Sequence, residues 1–214
     1  MQNSLFSRNY TAHKLNESDL PASPFILFKK WFAHASESGT TDVNAMVLST
    51  ATKKGIPSAR IVLFKGLSED ENGFIFFTNY KSNKGKELSS NPNAAITFYW
   101  SFPERQINIR GKVVKTSPKI SEAYFASRPR ESQLGAWASE QSKAIETRKL
   151  LEEKYEFYKK KFEGSEIPCP PYWGGFALNP VFIEFWQGRI GRMHDRFLYS
   201  KQKSGKWKIE RLSP

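Results

Sequence analysis

Ala45-Met46-Val47-Leu48-Ser49-Thr50-Ala51-Thr52-Lys53-Lys54-Gly55-Ile56-Pro57-Ser58-Ala59-Arg60-Ile61-Val62-Leu63-Phe64-Lys65 is the stretch on which the fold turns. Residues 45–52 and 58–65 read as two strands, and Lys53-Lys54-Gly55 between them carries turn chemistry. Working outward, residues 73–79, 94–100 and 106–115 read the same way, with Glu71-Asn72-Gly73 as a further turn. Beyond the Pro-rich Ile167-Pro168-Cys169-Pro170-Pro171, residues 181–188, 192–200 and 207–212 predict three more strands, the last two joined by a hairpin at Lys203-Ser204-Gly205. Short strands dominate, so the expected class is mainly β with flanking helices: an antiparallel barrel, closed or partly closed.

Helices punctuate this pattern. Ser23 as N-cap and Pro24 at the first helical position predict a helix through Phe25-Ile26-Leu27-Phe28-Lys29-Lys30-Trp31-Phe32. Residues 117–139 read as helical but broken near Pro129, because a proline inside a helix removes a hydrogen bond and clashes with the preceding turn. The second helix is expected to start with Pro129 at its first position, aiming free backbone N–H groups at an anion. Residues 142–162 read as a longer helix whose Ala144, Arg148, Leu151, Tyr155, Tyr158 and Phe162 recur at three- and four-residue steps, a stripe for packing or subunit contact.

With 214 residues, 39% hydrophobic and 14% aromatic, the chain can bury a core and is not of disordered composition. The expected organisation is a flexible segment over 1–18 and a single domain over 19–214. Lys and Arg number 33 against 21 Asp and Glu, leaving +12, which suits nucleic acid, an anionic membrane surface or small phosphorylated ligands. Cys169 has no intrachain partner, which fits a reducing cytoplasm. No apolar run approaches the roughly 18–20 residues of a membrane span, and the N-terminus lacks the apolar core of a secretory signal. A cytoplasmic location without a membrane partner is therefore expected, and no metal site.

The most informative chemistry lies in Gly188-Arg189-Ile190-Gly191-Arg192-Met193-His194-Asp195-Arg196-Phe197. On a strand, Arg192, His194 and Arg196 would share one face. Arginine supplies a planar fork of donors for phosphate or carboxylate, and histidine exchanges a proton near neutral pH, so that face would suit an anionic, proton-exchanging ligand. Asp195, of opposite parity, is expected to serve another contact.

Many further motifs occur in one order: Arg60-Ile61-Val62-Leu63-Phe64-Lys65, Phe76-Phe77-Thr78-Asn79, Ser82-Asn83-Lys84, Glu104-Arg105-Gln106, Tyr124-Phe125-Ala126-Ser127-Arg128-Pro129, Ser132-Gln133-Leu134-Gly135-Ala136-Trp137, Gln141-Ser142, Trp173-Gly174-Gly175, Glu184-Phe185-Trp186-Gln187-Gly188 and His194-Asp195-Arg196. In that order the chain resembles the pyridoxamine 5'-phosphate oxidases, from about Tyr10 to the closing Glu210-Arg211-Leu212-Ser213-Pro214. The resemblance implies an FMN-binding split barrel, assembled as a homodimer with active sites between the subunits. It also implies oxidation of pyridoxine or pyridoxamine 5'-phosphate to pyridoxal 5'-phosphate, with molecular oxygen as acceptor and hydrogen peroxide as by-product.

Carried over residue by residue, the resemblance assigns FMN contacts to Arg60, Ile61, Val62, Leu63, Phe64, Lys65, Phe77, Thr78, Ser82, Lys84, Gln106, Gln141, Ser142, Trp186 and Arg196. It assigns the substrate phosphate to Lys65, Tyr124, Arg128 and Ser132, and the substrate ring and catalysis to Arg192 and His194. Whether His194 takes a proton or only orients the ring is open. The chain departs from the family's Ser-Arg-Lys run at Asn83. Phe77 stands where a tyrosine is often found. Strict alternation sets Arg60 and Lys65 on opposite faces, a conflict that a bulge or a strand ending before Lys65 would resolve. The family's N-terminal lid pairs an arginine with a tyrosine three residues later; Tyr10 is present, but Ser7 occupies the arginine position, with Arg8 beside it.

Two alternatives fit the same sequence. Tyr99, Trp100 and Phe102 near Arg105 would suit a basic barrel that stacks single-stranded nucleic acid, which a yellow purified protein would argue against. Another split-barrel flavin oxidoreductase would keep the flavin but not the role of Arg128, Ser132, Arg192 and His194.

Overall fold

The computed structural model describes Tyr10, residues 13–70 and residues 72–214. Eight strands form: β1 (Ala45–Ala51), β2 (Pro57–Leu63), β3 (Phe74–Asn79), β4 (Asn93–Trp100), β5 (Arg105–Lys115), β6 (Trp173–Gln187), β7 (Asp195–Lys201) and β8 (Trp207–Leu212). They pair antiparallel in the order β2-β1-β4-β5-β6-β7-β8.

β6 explains the architecture. Its first half pairs with β3, from Asn79↔Trp173 to Phe74↔Leu178, and its second half pairs with β7, from Phe182↔Ser200 to Gln187↔Asp195. Past the end of β2, the Lys65 N–H donates to Ile75 O and the Ile75 N–H donates to Gly66 O, each at 2.9 Å. The ladder β2-β1-β4-β5-β6-β3 thus returns on itself, while β7 and β8 continue from the other half of β6: a split barrel.

Strand alternation places the core. Met46, Leu48, Ile96, Phe98, Trp100, Ile107, Ile109, Ile183, Phe185, Phe197 and Tyr199 point inward and are essentially inaccessible. Helix α1 (Pro24–Glu37) adds Leu27, Phe28, Trp31 and Ala35 to the same cluster, each large side chain contributing about 1.5–3 kcal/mol by leaving water. The opposite sheet face is not packed away: Ile61 is 62% and Tyr99 52% exposed, and Thr97, Gln106, Trp186 and Arg196 are half-buried.

Four further helices flank the sheet: α2 (Asn83–Ser90), α3 (Pro118–Ala126), α4 (Arg130–Ala138) and α5 (Arg148–Lys161). The break near Pro129 is present, but Pro129 takes the N-cap of α4 rather than its first turn, and its carbonyl accepts the N–H groups of Ser132 and Gln133. Those two N–H groups are therefore not free for an anion. The Gln133 amide donates to Phe125 O and Ala126 O, fixing α4 against the end of α3.

Several sequence expectations need correction. The helix over 142–162 begins only at Arg148, where the Thr147 hydroxyl accepts the Leu150 N–H; residues 142–147 are not helical and Ser142 has φ 73°. Ala144 is consequently off the stripe, whereas Tyr155, Tyr158 and Phe162 do pack, joining a second cluster with Phe125, Leu134 and Trp173. β6 starts at Trp173 rather than 181. The strand expected over 192–200 starts at Asp195: Ile190–Arg192 is a one-turn 3-10 helix, with Gly191 at φ 65° and Arg192 at φ 61°.

Leu15, inside the expected flexible segment, is buried and its N–H donates to Asp195 Oδ2 at 3.2 Å, so packing begins ahead of residue 19. Glu71 of the expected turn, and Ser7 and Arg8 of the expected lid, lie outside the described residues. Among the described residues no helix is long and apolar enough to cross a membrane, and no group of three or more His, Cys, Asp or Glu is arranged to hold a metal ion.

Candidate active site

A cavity of about 680 Å³ opens beside the β2 edge, a size typical of small-molecule and cofactor sites. Arg60, Ile61, Val62 and Leu63 line it from β2, Lys65 from just beyond, Phe77 and Thr78 from β3, and Lys84 from α2. Tyr124 comes from α3, Arg128 from the connection between α3 and α4, Ser132 from α4, Gln141 from the loop after α4 and Trp173 from the start of β6. The conflict between Arg60 and Lys65 disappears because β2 ends at Leu63. The cavity gathers four cations, and no Asp or Glu is among its described lining residues.

Each cation is held differently. The Arg60 guanidinium donates to Thr50 Oγ1 (2.5 Å), Leu48 O (3.2 Å) and Ser58 Oγ (2.6 Å), and reaches Glu87 of α2 at 3.4 Å. Lys84 donates to Gln141 Oε1 at 2.9 Å; burial, with Arg60's charge added, pushes its pKa down. Lys65 is exposed, with Nζ 5.7 Å from the centre of the Tyr124 ring. Arg128 lies over Trp173 at 4.8 Å, and its Nη1 is buried with no hydrogen-bond partner. Burial lowers the Arg128 pKa as well. A buried donor left unmade costs about 1–3 kcal/mol, more when charged, so this nitrogen is a donor available to an anion. Tyr124, Phe77 and Trp173 form a column of near-parallel rings, 4.0 Å and 5.4 Å between successive centroids, that supplies an aromatic wall.

The remaining expected residues form a second group. Gln106, Trp186 and Arg196 are successive cross-strand neighbours on β5, β6 and β7. The His194 ring packs on Trp186 at 4.6 Å, with Tyr10 edge-on to both rings. Arg196 grips Glu184 through Nε and Nη2, each at 2.8 Å. Arg192 is exposed in the turn before β7. None of these five lines the cavity. Arg192, His194 and Arg196 do not share a strand face either, since only Arg196 is on the strand.

His194 Nδ1 accepts the Arg189 main-chain N–H at 3.1 Å. Burial first, then the charges of Arg192 and Arg196, lower its pKa, with Asp195 opposing them. Asp195 serves other contacts, as its parity indicated: it accepts from Leu15 N–H, Arg189 and Arg211.

Three further assignments fall elsewhere. Phe64 is buried in the core against Phe28, Phe74 and Phe98. The Ser82 hydroxyl caps α2, accepting the Gly85 N–H and donating to Asn79 O. Ser142 lines a neighbouring depression rather than the cavity. Trp173 is the wall residue that sequence reasoning left without a role, although the Trp173-Gly174-Gly175 motif was visible.

Fold and site together define a split-barrel oxidoreductase. Residues 33–159 match the family model described as pyridoxamine 5'-phosphate oxidase, and residues 173–214 match the pyridoxine 5'-phosphate oxidase C-terminal dimerisation region. The chain is 52% identical over 207 residues to a pyridoxine/pyridoxamine 5'-phosphate oxidase of Paraburkholderia phymatum, covering 97% of this chain and 96% of that one. A Nostoc punctiforme protein of the same name is 51% identical with the same coverage. Among solved structures, PhzG from Burkholderia lata, in complex with tetrahydrophenazine-1-carboxylic acid, superposes with a TM-score of 0.89 at 29% identity, over 96% of this chain and 100% of that one. An FMN-binding, pyridoxamine 5'-phosphate oxidase-related protein of Nostoc punctiforme shares the fold, with a TM-score of 0.73 at 20% identity over 91% of this chain and 100% of that one. The chain belongs to the pyridoxamine 5'-phosphate oxidase family.

Proposed function

We propose that this chain binds FMN and oxidises pyridoxamine and pyridoxine 5'-phosphate to pyridoxal 5'-phosphate. The observation that carries the reading is the buried, unpartnered Arg128 Nη1 in a cavity lined by four cations and no carboxylate. Two phosphates, one from the cofactor and one from the substrate, answer that charge. Arg60 and Lys84 hold the FMN phosphate, with Thr78 and Gln141 as polar contacts. Lys65, Tyr124, Arg128 and Ser132 hold the substrate phosphate. When bound, FMN supplies the hydride acceptor and passes the electrons to molecular oxygen, giving hydrogen peroxide. The chain's own contribution is mainly to bring the reacting carbon to the flavin in a fixed orientation.

The working unit is a homodimer. Gln106, Trp186, Arg192, His194 and Arg196 lie away from the cavity of their own chain, on or beside a sheet face that leaves Ile61 and Tyr99 uncovered. A second copy seated on that face brings its row to this chain's cavity, with Arg192 and His194 against the substrate ring. The basic nucleic-acid groove has less support: Tyr99 and Phe102 are exposed, but Trp100 is in the core and Arg105 is buried against Gln187 and His34 rather than displayed beside them. A cytoplasmic location is the part of this reading that rests on sequence alone.

The test is an assay of purified protein with pyridoxamine and pyridoxine 5'-phosphate under oxygen. Yellow protein that forms pyridoxal 5'-phosphate and peroxide is the expected outcome. Turnover of tetrahydrophenazine-1-carboxylic acid with neither B6 phosphate accepted would overturn the substrate assignment.

A further inference from the structure

We propose that Arg189 and Asp195 are positioning residues that hold His194 with Nδ1 as acceptor, so that His194 meets the substrate as an Nε2–H donor and not as a proton acceptor. The proposal rests on the reading that His194 contacts the substrate ring. A neutral imidazole carries one N–H. The Arg189 main-chain N–H points at Nδ1 from 3.1 Å, which leaves Nε2 to carry the hydrogen.

The loop is built to keep that bond. Arg189 Nη1 donates to Asp195 Oδ2 at 2.7 Å, joining the residue whose N–H is used to the residue that follows the histidine. Asp195 is itself anchored by the Leu15 N–H at 3.2 Å and by Arg211 Nη1 at 3.0 Å. Between the two clamp points the chain makes a tight turn, with positive φ at Gly191 and Arg192. Trp186 packs beneath the ring and Tyr10 meets its edge.

Electrostatics point the same way. The charges of Arg192 and Arg196 disfavour a protonated imidazole, and Asp195, which opposes them, is already shared by two guanidinium groups. Taking a proton at Nδ1 would set two donors, N–H against N–H, at 3.1 Å.

Ring-nitrogen NMR of the 15N-histidine holoenzyme tests this directly. Of the three histidines, the His194 signals are those missing from His194→Gln. The expected result for wild type near neutral pH is a bare Nδ1 and a protonated Nε2 at His194; a protonated Nδ1, or an even mixture, overturns the proposal. Arg189→Ala should mix the tautomers and lower kcat about tenfold, the factor for one misplaced hydrogen bond. FMN content should hold, because Arg189 does not line the cavity, and Arg189→Lys should restore most of both effects. Asp195→Asn, which keeps the shape but not the charge, should reproduce the mixing. Unchanged tautomer and kcat in Arg189→Ala would remove Arg189 from the role, and mixed tautomers with unchanged kcat would remove His194 from the substrate. A protein inactive on B6 phosphates whose His194 nonetheless shows a bare Nδ1 would count against the proposed function and leave the anchoring intact.

Discussion

The Arg128 guanidinium lies 4.8 Å above the Trp173 ring, and its Nη1 is buried without a partner. Stacking orients the group while leaving a donor edge unanswered, as suits a cation held ready for phosphate. Replacing Arg128 with Ala should raise KM for the phosphorylated substrates about 10- to 150-fold, the equivalent of about 1.5–3 kcal/mol for charged hydrogen bonds. FMN content should stay near normal. The thermal midpoint of the ligand-free protein should not fall, since the substitution removes a buried donor that has no partner. A lower midpoint with unchanged KM would make Arg128 a packing residue of the Trp173 wall.

Lys84 reaches the cavity from α2, whereas Asn83, its neighbour, is the exposed first residue of that helix. Lys84→Ala should speed FMN release about tenfold or more if the lysine meets the phosphate. Asn83→Arg should slow release, with a smaller gain at high salt because the new side chain starts from an exposed position. FMN dissociation rates of wild type and both variants at two salt concentrations check this. Equal rates in all three would place the phosphate elsewhere.

The strands were legible in the sequence wherever a packed face alternates with an open one, as in β1, β2, β4 and β5. The first half of β6 was not expected from the sequence, and Gly174 and Gly175 there weaken a strand pattern. They are there for close approach: a Cβ on Gly174 would stand 2.2 Å from the Tyr80 hydroxyl. Shared parity of residues 192, 194 and 196 failed for a related reason, since Gly191 at φ 65° turns the chain before β7 begins. Family resemblance named the site residues, but only coordinates divide them into a cavity group and a sheet-face group. That division depends on tertiary pairing, which spacing along the chain does not encode.

A histidine pair links the N-terminal segment to α1: the His13 and His34 rings are 4.9 Å apart, and Arg105 Nη1 meets His34 Nδ1 at 2.9 Å. Burial, then the Arg105 charge, lowers both pKa values from the ordinary 6.5; Glu104 opposes this at His13 and Glu37 at His34. A histidine whose folded pKa is depressed binds more protons unfolded, so stability rises with pH until the ordinary value is passed. The stability these two contribute is present above 6.5 and is lost as pH falls below it toward the folded values. Thermal midpoints should drop between about pH 7 and 5.5, and less steeply in His34→Gln. A flat profile in wild type would show that the pair carries no such linkage.

In the proposed dimer each active site joins the cavity of one chain to the sheet-face row of another. Arg128 lines the cavity and Arg192 does not, so the two can be inactivated in separate copies. Assayed at substrate well below the wild-type KM, Arg128→Ala and Arg192→Ala should each be nearly inactive as homodimers. Mixed dimers, formed by co-expression and isolated with two affinity tags, should then carry one site with both defects and one with neither, recovering up to half of the wild-type rate per dimer. A mixed dimer no more active than the average of its parents would contradict the shared site.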